Sequence, residues 1–67
     1  MVDYINAFKL ITILNGGNLN NFIMQMKEEN AFEMDNYKIY FYKNEYCHKI
    51  KILDEKKYMM MKLKYGF

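Results

Sequence analysis

Arginine, serine, proline and tryptophan are absent from this 67-residue chain, and cysteine and histidine occur once each. Without serine there is no serine nucleophile. With only Cys47 and His48 there is neither a disulfide framework nor a zinc site of four cysteine or histidine ligands. The missing arginine removes the planar fork that makes bidentate contacts to phosphate or guanine. Glycine is scarce, and Gly16-Gly17 lacks the Lys-Ser/Thr of a phosphate loop, so the pair reads as a helix stop. No apolar run approaches the roughly 18 residues of a membrane span. The N-terminus has no basic segment leading into an apolar core and a small-residue cleavage site. These absences predict a cytoplasmic protein that is not an enzyme, with no cofactor, no metal and no membrane partner.

What is abundant is lysine, tyrosine, methionine, isoleucine and asparagine, residues that share AT-rich codons. The charge is uneven. Residues 1 to 37 carry two lysines against five acids, and residues 38 to 67 carry eight lysines against three, so the positive field belongs to the C-terminal half. The chain is expected to be a single small α+β domain over residues 1-67. A domain of this size buries only about 60% of its unfolded surface. Self-association, a homodimer for instance, or a protein partner is therefore expected.

Residues 37 to 65 read as three strands, Tyr37 to Lys43, Tyr46 to Leu53 and Tyr58 to Tyr65. A turn at Asn44-Glu45 and another at Asp54 to Lys57 join them. Side chains alternate across a strand, so a register is credible only if it gathers apolar residues on one face. The register predicted here sets Tyr37 opposite Ile52, Ile39 opposite Ile50, Phe41 opposite His48, Ile52 opposite Met59 and Ile50 opposite Met61. The other face then holds Lys38, Tyr40, Tyr42, Cys47, Lys49, Lys51, Tyr58, Met60, Lys62 and Lys64. Upstream, Asp3 reads as the N-cap of a helix to about Leu14 with a stripe of Ile5, Phe8 and Ile11; Phe8 to Leu14 is also β-branched enough for a strand. Asn18 opens a second helix to about Asn30, with Leu19, Phe22, Ile23 and Met26 at helical spacing. Phe32 and Met34 are expected in the core and Asp35-Asn36 in a turn. The predicted fold is α+β, two N-terminal helices packed on one face of a three-stranded antiparallel meander, in the order ααβββ.

The uncovered face carries the functional expectation. Lys38, Tyr40, Tyr42, Lys49, Lys51, Tyr58, Met60 and Lys62 combine cationic side chains with ring and thioether anchors. Such a face suits the acidic surface of a host protein or protein–nucleic acid complex, or nucleic acid itself. Like-charged neighbours on it, Lys38 with Lys51 and Lys49 with Lys62, would be relieved by an anionic partner. A second nucleic-acid reading is a helix-turn-helix with a wing, in which Asn20, Asn21 and Gln25 face adenine edges while Glu28-Glu29 repel phosphate. Cys47 and His48 point to opposite faces and cannot act together. His48 is expected in the core with a hydrogen-bond partner, and Cys47 beside Lys49 and Lys64 with some thiolate character. In size and composition alone the chain resembles phage or mobile-element products that inhibit a host enzyme by docking on it, anti-CRISPR proteins among them. That resemblance implies a non-enzymatic inhibitor that docks on a nucleic-acid-processing or CRISPR effector enzyme, and it assigns no residues.

Overall fold

A computed structural model describes residues 1–34 and 38–67. The elements run β1 (Val2–Asn6), α1 (Ala7–Leu14), α2 (Leu19–Glu28), β2 (Phe32–Tyr42), β3 (Glu45–Ile52) and α3 (Glu55–Tyr65). The sheet is antiparallel with strand order β1-β3-β2. β2 pairs with β3 in two runs, Phe32 to Met34 and Ile39 to Tyr42; counted as separate segments, these make the sheet four-stranded. The fold is thus α+β with three helices, and the predicted ααβββ meander is wrong at both ends.

At the N-terminus the error concerns residues 2 to 6. They form a strand beside β3, with Ile5 opposite His48 and Tyr4 opposite Lys49. The helix cap is Asn6, whose side chain accepts from the Lys9 amide at 2.9 Å, and not Asp3. Residues 7 to 14 are helical, which settles their reading against the strand alternative. The inward stripe of α1 is Ala7, Leu10 and Leu14, so Phe8 and Ile11 face outward in place of the expected core positions.

At the C-terminus the predicted third strand is α3. Asp54 accepts from the Lys57 amide at 3.1 Å, and Gly66, at φ 78°, returns its amide to the Lys62 carbonyl. Between the caps lie Glu, Lys, Met and Leu, which are strong helix formers. Lysines in the last turn complement the helix dipole. Tyr58, Met61 and Tyr65, at i, i+3 and i+7, face the core.

The β2–β3 turn is Lys43-Asn44, one residue earlier than predicted, with both residues left-handed at φ 48° and 64°. Two successive left-handed residues give a tight hairpin turn whose twist matches the strands. The pairs that follow are Ile39 with His48, Tyr40 with Cys47 and Phe41 with Tyr46. Moving a turn by one residue slides the register by two. Ile39, Phe41, Ile50 and Ile52 therefore stay on one face, and Lys38, Tyr40, Tyr42, Lys49 and Lys51 on the other. Upstream, β2 advances five residues from Met34 to Ile39 while β3 advances two, from Ile50 to His48. This shift puts Phe32 and Met34 on the same face as Ile39. The expected Asp35-Asn36 turn and the pairing of Tyr37 lie outside the described residues.

The core is built from Ile5, Leu10, Phe22, Met26, Ala31, Phe32, Ile50 and Tyr58, with Met61, Tyr65 and Phe67 packed against it. α2 contributes Phe22 and Met26 as its spacing predicts, and Asn18 caps it. Phe32 is the hub of this core. It is 0% exposed and makes edge contacts with Tyr58 and Phe67 at centroid distances of 5.8 and 6.2 Å. Residues contributed by all three helices thus pack against one side of the sheet, and its other side is open.

Candidate functional site

The open side is set by alternation. Tyr4 comes from β1, Lys49 and Lys51 from β3, and Lys38, Tyr40 and Tyr42 from β2, with Lys43 at the hairpin tip. The Tyr4 and Tyr42 rings stack across the central strand at 4.0 Å and 15°, and Tyr4 meets the edge of Tyr40 at 6.4 Å. Lysines lie over these rings. The ammoniums of Lys38 and Lys49 are 5.2 and 5.7 Å from the Tyr40 centroid, and that of Lys43 is 5.4 Å from Tyr42. Each ring contact contributes about 0.5–1.5 kcal/mol and each exposed cation–π contact about 0.5–1 kcal/mol, enough to hold the cluster as one platform.

Neither of the expected like-charged pairs forms, although the Lys38 and Lys49 ammoniums share the Tyr40 ring. Lys51 lies opposite Glu33 and Val2, and Lys49 opposite Tyr4. The one ion pair among the described residues is elsewhere, Lys62 to Asp3 at 3.9 Å. Among the described residues, Lys38, Lys43, Lys49 and Lys51 therefore surround the tyrosines without an ion pair, Lys51 lying opposite Glu33.

Five of the predicted site residues, Lys38, Tyr40, Tyr42, Lys49 and Lys51, are brought together here. Tyr58, Met60 and Lys62 are not, because α3 carries them on the far side of the sheet. Tyr58 is buried and donates its hydroxyl to the Asp3 carboxylate. Burial, then that bond and the negative charge, hold its pKa far above the ordinary tyrosine value. Met60 is exposed on α3, away from Tyr40. Sequence reasoning missed Tyr4, because Tyr4 to Asn6 read as the start of a helix capped by Asp3. The alternation of Tyr4 and Ile5 ahead of a capping Asn6 was the available signal.

Cys47 is on this face but is 3% exposed, in the row between Asn6 and Tyr40. Burial and, second, the Glu45 charge push its thiol pKa up, the opposite of the expected thiolate character. Lys64 lies on α3, so it cannot assist. His48 is buried on the helix side as predicted, but its Nδ1 has no hydrogen-bond partner among the described residues. Burial pulls its pKa below the ordinary histidine value. The unfolded chain takes up this proton near pH ~6.5 and the folded chain only at lower pH. Stability is therefore full above that point and shrinks as pH falls through it. A urea midpoint that drops between pH ~7.5 and ~5.5, and drops much less in His48→Phe, is the expected result.

Among the described residues, no group of three or more His, Cys, Asp or Glu side chains is arranged to hold a metal ion, and no helix is long and apolar enough to cross a membrane. Compared with models of protein families, with curated proteins and with solved structures, the chain matches none.

Proposed function

We propose that the chain is a non-enzymatic, cytoplasmic binding protein that docks through the open sheet face on an acidic surface of another protein, as an inhibitor or adaptor of it. In this it would act like the small phage and mobile-element products that it resembles in size and composition. One observation carries the reading: lysines that form no ion pair among the described residues surround tyrosine rings that already stack on one another or lie under ammoniums. Single-stranded nucleic acid is held by bases stacking on bare rings. Here Tyr4 covers a face of Tyr42, and two ammoniums lie over Tyr40. Ammoniums and phenol hydroxyls at the rim are donors, and carboxylates are the acceptors that they fit.

Titration with a glutamate-rich peptide and with a single-stranded oligonucleotide, at low and high salt, tests this. The peptide is expected to bind, to weaken with salt, and to shift the amide resonances of Tyr4, Lys38, Tyr40 and Lys49. Oligonucleotide binding without peptide binding overturns it.

A second reading has its own observation. The helix, turn, helix and hairpin of residues 7 to 52 follow in the order of a helix-turn-helix with a wing, and Asn20, Asn21 and Gln25 are exposed on α2. Charge opposes it, since Lys27 is followed by Glu28 and Glu29. Duplex DNA binding lost in Asn21→Ala/Gln25→Ala would support this reading, and no duplex binding at low salt removes it.

A further inference from the structure

The helix side of the sheet is not covered along its whole length. Beyond His48 the hairpin extends past the helices, and Ile39, Phe41 and Tyr46 are exposed on that side, with Phe41 and Tyr46 in edge contact at 5.2 Å. Next to them runs the outward stripe of α1, Phe8 and Ile11. Ile11 and His48 line the same small cavity, and Ile39 lies directly opposite His48, so stripe and hairpin are neighbours. These five side chains are between 46% and 66% exposed. Taking the area of large side chains into account, they present roughly 600 Å². That is the upper end of what a monomer leaves bare in one patch. It is also about three quarters of what each side of a standard stable interface buries.

We infer that this face is covered by a second copy of the chain, in a two-fold dimer in which the α1 stripe of each copy meets the hairpin patch of the other. Charge selects that occupant. The open sheet face and α3 both carry lysines that would repel their own copies, whereas none of the five residues here is charged and burial disfavours the charged form of His48 beside them. A two-fold axis sets the same patch against itself, which suits an uncharged apolar surface. The dimer leaves both lysine and tyrosine faces free on the opposite side of the sheet. Two such faces would engage a repeated acidic partner with avidity.

Sedimentation velocity from low micromolar to near-millimolar concentration tests the dimer. A mass that rises to twice that of the chain is expected. It should persist or strengthen in high salt, where binding at the open face weakens. Phe41→Glu is expected to weaken the dimer by at least about tenfold, since it sets a charge at the centre of the contact. Far-UV circular dichroism checks that the variant folds, and Phe8→Ser on α1 gives the same readout if it does not. A monomer at every concentration overturns the inference. So does a dimer that Phe41→Glu and Phe8→Ser both leave intact.

Discussion

Phe32→Ala is expected to leave most of the chain unfolded at room temperature. The ring is fully buried and meets Phe22, Tyr58 and Phe67, which come from α2, α3 and the C-terminus. Removing such a ring costs about 3–5 kcal/mol, the lost transfer free energy plus the cavity that remains. A single small core supplies on the order of 3–5 kcal/mol in total, so one substitution consumes it. Phe32→Leu keeps much of the volume and is expected to cost much less, about 1–2 kcal/mol. Urea titration followed by circular dichroism separates the cases. A cooperative Phe32→Ala transition within about 1 kcal/mol of the parent would mean that α2, α3 and the C-terminus do not converge on this residue.

The second large effect concerns binding. Lys38→Glu/Lys49→Glu reverses two charges that flank Tyr40, and is expected to weaken an acidic partner by about a hundredfold or more at low salt. Stability should change little. Lys38 is exposed and Lys49 half-buried, neither forms an ion pair among the described residues, and each ammonium over the Tyr40 ring contributes only about 0.5–1 kcal/mol. Titration calorimetry with the glutamate-rich peptide measures the first effect and a thermal melt the second. Affinity unchanged in a folded double variant would remove the open face from the proposed function.

How much of this was legible in the sequence differs by element. α2 declares itself through Asn18 and the spacing of Leu19, Phe22 and Met26, and its limits agree with the structure to within a few residues. The hairpin faces were readable although the turn was misplaced, because sliding a register by two keeps every side chain on its side. α3 was misread for a physical reason. Met59, Met61 and Leu63 alternate with Met60, Lys62 and Lys64, which mimics a strand, and they do so because the helix leaves Met59, Met60 and Leu63 in solvent. The apolar pattern of an exposed helix face carries no core information. The caps at Asp54 and Gly66 did carry it, since an N-cap and a left-handed glycine on either side of eleven residues bound a three-turn helix. β1 was hidden because Val2 to Asn6 pair with residues over forty positions away, and local spacing cannot report that. Of the site, the five residues on the hairpin were read, whereas Tyr4 was signalled only by its alternation with Ile5 ahead of the capping Asn6.

Everything proposed for the open face depends on β1 lying beside β3, with Tyr4 reaching over the central strand to Tyr42. Nuclear Overhauser contacts between the aromatic protons of these two tyrosines, in the free protein, are the direct test. Strong cross-peaks between the rings, together with contacts from the Tyr58 ring to Phe32 and Phe67, are the predicted result. Cross-peaks that tie Tyr42 to α1 or α2, or Tyr40 to Tyr58, would contradict it, because they would put a helix over the lysine and tyrosine platform or turn α3 back into a strand beside it.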